Sequence, residues 1–367
     1  MKIGITGADG LLGFHLRARL HALGGHEVRL ANRVTFDADA SLDTFVGGLD
    51  ALVHFAGMNR GDEQEVEAVN SRLAEALVGA MTRTGATPVV VFSNSTHVDR
   101  DTGYGRGKRR AAEVLADWAA ERSACFTDLV LPHVFGEFGR PFANSVVSTF
   151  CHQLAKGEAP EIHVDGQLEL VHAQAVAERC LAAVLAGESG RVRMAGEPIK
   201  VSALLDRLRE LQAQYSAQIM PALPDPLTLR LFNTLRSYLF PAHYPVALTL
   251  HTDNRGSLFE AVKTHQGGQT FLSTTRPGIT RGNHFHLRKV ERFLVVSGEA
   301  EICLRKLFSG EVIRFRVSGS APCYIDMPTF HTHSITNVGE AEVVTLFWAN
   351  EIFDPADSDT YAEAVVA

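Results

Sequence analysis

The feature that most constrains this chain is a group of three histidines and one glutamate near its C-terminal end. His284 and His286 are separated by one residue, Glu291 follows closely, and His333 comes further along. In an extended strand alternate side chains point to the same side, so His284 and His286 can face one cavity. Imidazole nitrogens and a carboxylate oxygen suit zinc, iron, manganese or nickel. The spacing therefore predicts one metal site built on two β-hairpins.

The residues around these ligands also follow a pattern. Gly278 and Gly298 flank the first three, while Pro328 and Asn337 flank His333. The whole spacing resembles both halves of the cupin signature, which implies an all-β jelly-roll barrel. We expect zinc, since it acts as a Lewis acid and has no redox chemistry.

The second half of the cupin pattern departs from the family at two positions and leaves one alternative open. Pro322 and Phe330 stand where glycine is usual. His331 is a rival ligand, because His331 and His333 are again separated by one residue and share a face of a strand. The register with Pro328 favours His333.

A second signature opens the chain. The apolar strand at residues 2–6 leads into three glycines and then a helical run at 11–23 with leucines on one face. A strand, a glycine-rich turn and a helix N-terminus present backbone N–H groups to a phosphate. This predicts dinucleotide binding by Gly7, Gly10, Leu11, Leu12 and Gly13.

Length, charge and cysteine use narrow the class of protein. The chain has 367 residues, long for one core at about 100–200 residues per domain. A net charge of −7 disfavours a broad nucleic-acid-binding surface. The sequence shows neither a secretory signal nor an apolar stretch of membrane-spanning length. The five cysteines are scattered, which is typical of a reducing compartment. We therefore expect a cytoplasmic protein.

The pattern of strand and helix signals in the sequence changes near residue 245. Strand and helix patterns alternate through the first half, which predicts a Rossmann-type, doubly wound parallel sheet. From residue 248 onward, short β-branched runs are separated by Gly, Pro and Asn, which predicts an antiparallel all-β domain. We place an α/β domain at residues 1–243 and an all-β domain at 244–367.

Three residues of the first half predict a catalytic site. Ser95 follows an apolar strand, and Tyr104 and Lys108 share one face at the start of a helix. A lysine ammonium near the tyrosine hydroxyl favours the phenolate. Tyr104 can then exchange a proton with a carbonyl or alkoxide oxygen, to which Ser95 would hydrogen-bond.

The residues after the second strand bear on the choice of cofactor. NAD-binding proteins usually carry an acid there, whereas arginine accommodates the additional phosphate of NADP. This chain has Asn32 and Arg33, and no acid before Asp37. We expect NADPH, with Arg33 on its phosphate; a solvated surface arginine is the alternative.

Together these motifs resemble the extended short-chain dehydrogenase/reductase family. The glycine-rich turn, Ser95 and the Tyr104/Lys108 pair carry the resemblance. It implies that Tyr104 and Lys108 also contact the cofactor, together with four further residues: His54, Ala56, Gly57 and Asn70.

Over its full length the chain resembles the bifunctional UDP-sugar 3-epimerase/4-reductases of capsular polysaccharide synthesis, in the N-acetyl-L-fucosamine precursor pathway. Asp253-x-Arg255-Gly256 and the run at 276–284 are among the matching residues. The resemblance implies a UDP-linked 4-keto-6-deoxy-N-acetylhexosamine as substrate. The metal-binding domain would invert C3, and the other domain would reduce C4 with NADPH to give UDP-2-acetamido-2,6-dideoxy-L-talose. It also implies a homodimer.

The first half also departs from the family pattern. Val130 and His133 stand where the family has arginine and asparagine. Gln174 and Ala175 stand where it has an acidic pair. These changes bear on sugar or nucleotide contacts more than on reaction type.

The acid and base of the epimerisation stay open, and so does the diphosphate site. Candidates for acid and base are Lys289, Tyr324, Asp326 and His331. Candidates for bidentate contacts to a diphosphate are Arg276, Arg281, Arg288 and Arg292.

Three other functions remain as alternatives. The first is a single-activity reductase or epimerase whose cupin binds sugar or mediates dimerisation. The second is a non-catalytic nucleotide-sugar sensor, and the third is a metal-dependent dioxygenase, which would use the same ligands.

Overall fold

The computed structural model describes residues 1–254 and 256–366. Arg255, part of one predicted motif, lies outside the described residues. The helices are α1 (Leu11–Leu23), α2 (Asp39–Val46), α3 (Glu63–Thr84), α4 (Gly103–Arg122), α5 (Val146–Ala155), α6 (Ala173–Ala186), α7 (Val201–Ser216) and α8 (Pro226–Leu239).

The strands fall into two groups along the chain. The first are β1 (Lys2–Thr6), β2 (Glu27–Ala31), β3 (Ala51–His54), β4 (Val89–Ser95), β5 (Phe126–Leu131), β6 (His133–Phe135), β7 (Gln167–His172), β8 (Gly190–Arg193) and β9 (Glu197–Lys200). The second are β10 (Ile219–Met220), β11 (Val246–Ala247), β12 (His251–Asp253), β13 (Gly256–Leu258), β14 (Lys263–Thr264), β15 (Gln269–Thr275), β16 (Thr280–Phe285), β17 (Glu291–Ser297), β18 (Glu299–Lys306), β19 (Val312–Ser318), β20 (Cys323–Met327), β21 (His331–Asn337), β22 (Val343–Ala349) and β23 (Tyr361–Ala362).

One compact unit comprises Met1–Arg140 and Val164–Val201. Its main sheet has the order β2-β1-β3-β4-β5-β8, and every pair in it is parallel. Leucines of α1 and aliphatic residues of α6 pack on one face of this sheet, while α2, α3 and α4 pack on the other. Because both faces are covered, β3 is buried along its whole length, and its residues are apolar up to the final His54. The predicted doubly wound sheet is confirmed.

The second compact unit comprises Pro141–His163 and the residues from Ser202 onward. Two five-stranded antiparallel sheets form its core, with the orders β11-β20-β17-β22-β15 and β19-β18-β21-β16-β23. This confirms the predicted all-β jelly roll. The antiparallel pair β12-β13 and the pair β10-β14 lie outside these sheets.

Helices α5, α7 and α8 belong to the same unit as the two antiparallel sheets. The sequence analysis placed residues 1–243, which include these helices, in the α/β domain, and that boundary stays a prediction. A buried polar network connects α7 and α8 to β20. Tyr215 of α7 donates a 2.6 Å hydrogen bond to Asp326, and Arg236 of α8 donates to the carbonyl oxygen of Met327 at 2.7 Å.

In the part of the chain that the structure describes, no helix is long and apolar enough to cross a membrane.

Candidate functional site

The four predicted metal ligands meet at one point inside the jelly roll. One ligand atom from each of His284, His286, Glu291 and His333 lies within 4.8 Å of the others. Glu291 Oε2 is 3.2 Å from His286 Nε2 and 3.5 Å from His333 Nε2. His284 Nε2 is 3.2 Å from His333 Nε2. Three imidazole nitrogens and a carboxylate in this arrangement fit a divalent transition metal.

A β-bulge in β16 aims its histidines at this point. The register with β21 shifts between Gly282 and His284, which brings His284 opposite His333. Asn283, at the shift, has a φ of +59°, in the left-handed region that asparagine tolerates better than most residues. Such bulges re-aim a side chain next to functional sites. The alternation then turns His286 to the same side as His284.

Backbone carbonyls orient two of the ligands. The Nδ1 atom of His286 lies 2.6 Å from the carbonyl oxygen of Asp359, and that of His333 lies 3.2 Å from the carbonyl oxygen of His331. A carbonyl can only accept, so Nδ1 carries the proton and Nε2 is left as the metal-binding atom. The ring orientations therefore agree with ligation through Nε2.

Asp359 was not predicted from the sequence, yet it holds the loop between two ligands. Its buried carboxylate accepts hydrogen bonds from the backbone N–H groups of Leu287, Arg288 and Lys289, at 3.1, 2.9 and 2.8 Å. These residues connect His286 to Glu291. Asp359 thus positions both the ring of His286 and the backbone segment that leads to Glu291.

The charge of the cluster agrees with a cation site. Burial raises the pKa of Glu291, but the close contacts of its carboxylate with His284, His286 and His333 outweigh this effect and hold the pKa well below its usual value. Burial lowers the pKa of His333 to about 4. Glu291 is therefore ionised and His333 neutral near pH 7, and these are the forms that bind a metal.

Phe330, at a position where the cupin pattern usually has glycine, adopts a left-handed backbone conformation. Its φ is +60°, and its N–H donates to the carbonyl oxygen of His286 at 2.8 Å. Its side chain is fully buried, which offsets the cost of a left-handed backbone. Pro322 needs no such conformation, and its carbonyl accepts a hydrogen bond from Leu248.

Two of the four acid–base candidates point away from the metal cluster. In the β17–β20 pair Glu291 lies opposite Met327, and Arg292 lies opposite Asp326. Because neighbouring residues of a strand face opposite sides, Asp326 and Tyr324 lie on the face that carries Arg292, not Glu291. These two candidates therefore do not face the metal cluster.

The other two candidates have structural partners. Lys289 Nζ donates to the carbonyl oxygen of Ser358 at 2.6 Å. His331 Nδ1 donates to the carbonyl oxygen of Thr329 at 2.9 Å, and His331 is not part of the four-residue cluster.

The four candidate arginines divide by exposure. Arg292 is buried, and its Nε donates to Asp326 at 2.7 Å, so this arginine is not available to a diphosphate. Arg288 bonds Asp357 and Glu351 at 2.9 and 3.3 Å. Arg276 and Arg281 are exposed and remain candidates.

In the first unit the predicted phosphate-binding turn is formed. Gly7 has a φ of +66°, and a Cβ there would lie 2.7 Å from the backbone nitrogen of Ala56. A Cβ on Gly13 would lie 2.3 Å from the carbonyl oxygen of Gly7. Gly10 caps α1 without a side-chain hydrogen bond, so the first-turn N–H groups at Leu11 and Leu12 are left for a phosphate. These residues fit a dinucleotide.

Ser95, Tyr104 and Lys108 come together at the carboxyl end of β4. Burial raises the pKa of Tyr104, and a hydrogen bond with Ser95 opposes this. Lys108 Nζ lies 5.9 Å from the centre of the Tyr104 ring and donates to the carbonyl oxygen of Ser93 at 2.7 Å. Burial lowers the pKa of Lys108 to about 8. Lys108 is therefore mostly protonated at pH 7, and it loses its proton as the pH rises past about 8.

The remaining predicted cofactor residues border this cluster. A Cβ on Gly57 would lie 2.5 Å from Asn70 Oδ1 and 3.7 Å from Lys108 Nζ. Asn70 donates to the carbonyl oxygen of Met58 at 2.6 Å, which fixes the segment after β3. His54 Nδ1 lies 2.6 Å from Thr6 Oγ1. Burial and the charge of Lys108 lower the pKa of His54 to about 3, so it stays neutral.

Asn32 and Arg33 lie at the end of β2, as predicted. Both are exposed. Asn32 Oδ1 accepts from the backbone of Thr35 at 3.2 Å, and Arg33 begins a short 3-10 turn at Val34–Phe36. This placement is compatible with the predicted phosphate contact and with the surface alternative.

Gln174, one of the departures from the family pattern, belongs to a buried polar network that the sequence analysis missed. Gln174 Nε2 donates to the carbonyl oxygen of His15 at 2.9 Å, so its side chain points into the core. Glu137 Oε2 lies 3.0 Å from His172 Nε2 and 3.8 Å from His15 Nε2. Gln174 and Glu137 thus both contact His15 in this network. Val130 is a core residue of β5, and His133 begins β6.

Comparison with known proteins agrees with this description. Residues 3–196 match the NAD dependent epimerase/dehydratase family, and residues 251–361 match the polysaccharide biosynthesis C-terminal domain. A UDP-2-acetamido-2,6-β-L-arabino-hexul-4-ose reductase from Pseudomonas aeruginosa strain PA103 is 32% identical, over 100% of this chain and 99% of that protein.

Solved structures show the same relationship. The capsular polysaccharide assembling protein CapF from Staphylococcus aureus is 29% identical with a TM-score of 0.64, over 99% of this chain and 100% of that chain. The UDP-glucose 4-epimerase of Thermotoga maritima, 19% identical with a TM-score of 0.51, matches 58% of this chain and 83% of its own. The latter shows a shared fold only.

The full-length matches confirm the predicted resemblance to the two-domain enzymes of capsular polysaccharide synthesis. Family membership also implies a nicotinamide cofactor. Because the family model covers more than half of the chain and a relative 32% identical spans all of it, the chain belongs to the NAD dependent epimerase/dehydratase family, among the members that carry a polysaccharide biosynthesis C-terminal domain.

Proposed function

We propose that the chain is a bifunctional nucleotide-sugar enzyme. The jelly-roll unit would invert C3 of a UDP-2-acetamido-2,6-dideoxy-hexos-4-ulose, and the α/β unit would reduce the C4 ketone to give UDP-2-acetamido-2,6-dideoxy-L-talose. The observation that carries this proposal is the presence of two complete constellations in one chain. One is the four-ligand cluster, and the other is the group of Ser95, Tyr104 and Lys108.

In the reduction the side chains of the α/β unit deliver one proton to the substrate oxygen. NADPH would supply the hydride, with Arg33 on its phosphate. Reduction turns the ketone oxygen into an alkoxide, to which Tyr104 would give its hydroxyl proton. Ser95 bonds Tyr104 and would hold the same oxygen. The Lys108 ammonium favours the phenolate that Tyr104 becomes.

In the epimerisation the proton on C3 is acidic because it lies next to the C4 ketone. A divalent metal, which we propose to be zinc, would be held by His284, His286, Glu291 and His333 and would supply Lewis acidity toward that ketone. His284 is the most exposed ligand, at 23% of its side chain, whereas the other three are at 10% or less. We expect the sugar to approach from the side of His284.

The substrate class rests on the full-length relative, whose name specifies a 4-ulose attached to UDP. Arg276 and Arg281, which are exposed near the metal cluster in sequence, remain candidates for the diphosphate. The homodimer and the cytoplasmic location stay predictions. The free thiols of all five cysteines are what a reducing compartment would require.

Two variants test the division of labour. Tyr104→Phe should abolish NADPH oxidation and leave deuterium exchange at C3 intact, whereas His284→Ala should do the reverse when the C3-inverted substrate is supplied. Tyr238→Phe and His251→Ala make the same chemical changes elsewhere and serve as controls. If Tyr104→Phe also stopped exchange at C3, the two reactions would share one site and the proposal would be wrong.

A further inference from the structure

We propose that Asp128 is a positioning residue for the reduction, acting with Asn94 to keep Lys108 charged and Ser95 in place. The inference rests on the proposed reductase function and adds to it a residue on β5 that does not touch the substrate. Its support comes from one chain of buried contacts behind the Ser95/Tyr104/Lys108 cluster.

Asn94 connects Asp128 to the backbone of Ser95. Asn94 Nδ2 donates to Asp128 Oδ1 at 2.8 Å, and Asn94 Oδ1 accepts from the N–H of Ser95 at 2.8 Å. Both Asn94 and Asp128 are buried. A buried amide with donors and acceptors engaged has one orientation. The position of the Ser95 backbone is therefore coupled to the carboxylate of Asp128.

The neighbouring residue connects the same strand to Lys108. The carbonyl oxygen of Ser93 accepts from Lys108 Nζ at 2.7 Å, and Nζ lies 4.5 Å from the centre of the Phe92 ring. Lys108 is 4% exposed. A buried ammonium is costly unless other charges or dipoles stabilise it.

The titratable groups that act on Lys108 come from three elements. They are His54 on β3, Tyr104 on α4 itself and Asp128 on β5. With the pKa of His54 at about 3 and that of Tyr104 above its usual value, both are neutral near pH 7. Asp128 lies beside Phe92 in the β4–β5 pair, and Lys108 Nζ lies over the ring of Phe92. The negative charge of Asp128 opposes the effect of burial on the pKa of Lys108.

The carboxyl group of Asp128 contacts Asn94 and Arg191. Burial raises the pKa of this carboxyl group, and the hydrogen bond from Asn94 and the charge of Arg191 offset only part of the increase. Arg191 Nε lies 3.5 Å from Asp128 Oδ2, and the guanidinium also lies 3.6 Å from the exposed Asp99. Asp128 lines a groove of about 770 Å³ between α4 and the edge strand β8.

The consequence is a defined change in the pH dependence of reduction. The pKa of Lys108, about 8 with Asp128 present, should fall when that negative charge is removed. The charged lysine would then be lost at lower pH, and the alkaline limb of the rate profile would move to lower pH. If this pKa falls by about one, the rate on the alkaline side falls about tenfold, with little change on the acid side.

The test is the rate of NADPH oxidation from pH 6 to 9.5, at saturating UDP-2-acetamido-2,6-dideoxy-hexos-4-ulose, for wild type and Asp128→Asn. We expect about a tenfold loss of kcat at the alkaline end and about a twofold loss or less at pH 6. Asp128→Glu should restore the wild-type limb, because it keeps the charge. Asp99→Asn removes a carboxylate from the same arginine and should leave the profile unchanged.

Two further variants separate the roles. Asn94→Ala breaks the link to Ser95 but keeps the charge of Asp128, so we expect a lower kcat at every pH with the limb unmoved. Arg191→Gln, at a half-exposed surface position, removes the cation that offsets Asp128 and should move the limb to higher pH. This second variant keeps the test decisive if Asp128→Asn does not fold.

If the alkaline limb of the pH–rate profile is at the wild-type pH in both Asp128→Asn and Arg191→Gln, the inference is overturned. The same holds if Asp128→Asn lowers the rate equally at all pH values. Absence of NADPH oxidation by the wild-type protein would instead contradict the proposed function, so the two failures can be told apart.

Discussion

The imidazole Nδ1 atom of His286 lies 2.6 Å from the backbone carbonyl oxygen of Asp359, a residue 73 positions away in the chain. The carboxylate of Asp359 accepts three further backbone hydrogen bonds from the loop that leads to Glu291. Two metal ligands are therefore positioned by a segment close to the C-terminus. Such outer contacts fix the tautomer and orientation of a ligating histidine.

We expect Asp359→Ala to weaken metal binding although Asp359 is not a ligand. Without the carboxylate, the loop at 287–289 loses three hydrogen bonds and the cluster loses its fixed geometry. Loss of such a contact typically costs about 10–100-fold in metal affinity. Zinc titration against a chromophoric chelator measures the effect. Asp357→Asn, an exposed acid of the same segment, is the control, and equal affinities for both variants would contradict the assignment.

Two histidines on β21 should differ in their effect on metal content. His333 belongs to the four-residue cluster, whereas His331 donates to Thr329 and packs against the ring of Phe240. We expect His333→Ala to lose the metal and His331→Ala to retain it, as measured by elemental analysis. Retention by both variants, or loss from His331→Ala alone, would show that the ligand assignment is mistaken.

The buried pair of Arg292 and Asp326 should stabilise the second unit rather than take part in catalysis. Removing one partner of a buried ion pair costs about 3–5 kcal/mol, so we expect Asp326→Ala to lower the free energy of unfolding by that amount. Denaturant titration measures it, with Glu299→Ala in the exposed pair with Arg316 as the control, which should cost at most about 1 kcal/mol.

The effect of Asp326→Ala should depend on pH. Burial raises the pKa of Asp326, but Arg292 outweighs this and holds the pKa below its usual value. A carboxyl group whose pKa is lowered in the folded state stabilises the protein above its unfolded pKa of about 3.9. This stability is lost as the pH falls below that value. The wild type and Asp326→Ala should therefore converge in stability below about pH 4, and a constant difference would argue against the ion pair as its source.

Arg33 should determine the preference for NADPH over NADH. A charge-assisted contact to the additional phosphate contributes about 1.5–3 kcal/mol, so Arg33→Ala should lower the affinity for NADPH by about 10–100-fold and leave that for NADH unchanged. Titration of both cofactors by fluorescence checks this. Arg29 on the same strand bonds Glu27 and Gly47 and provides the control variant. An unchanged affinity ratio in Arg33→Ala would remove Arg33 from the account.

The sequence alone was sufficient for features that depend on local patterns. The His284/His286 spacing, Glu291 and His333 predicted a cluster that the structure brings together. The alternation of strands and helices predicted the parallel sheet, because a strand covered on both faces must be apolar throughout. Phe330 departs from the cupin pattern, and its left-handed backbone conformation is one that glycine adopts more readily.

The features that could not be predicted depend on contacts between distant residues. Asp326 was a candidate acid or base because it lies close to a metal ligand in sequence, yet the pleat of β20 turns it to the opposite face from Glu291. Asp359 and Glu137 gave no local signal, since their partners lie 73 and 35 residues away. Pairing register and buried polar networks are properties of the tertiary structure.

The most direct test of the central claim is to incubate the purified protein with UDP-2-acetamido-2,6-dideoxy-hexos-4-ulose in deuterated water, with and without NADPH. Product mass and stereochemistry are then read by mass spectrometry and NMR. The account predicts one deuterium at C3 without NADPH. With NADPH it predicts one cofactor oxidised per sugar and the same deuterium in a C4-reduced product of L-talo configuration. NADPH oxidation with retention of the original C3 hydrogen would contradict it.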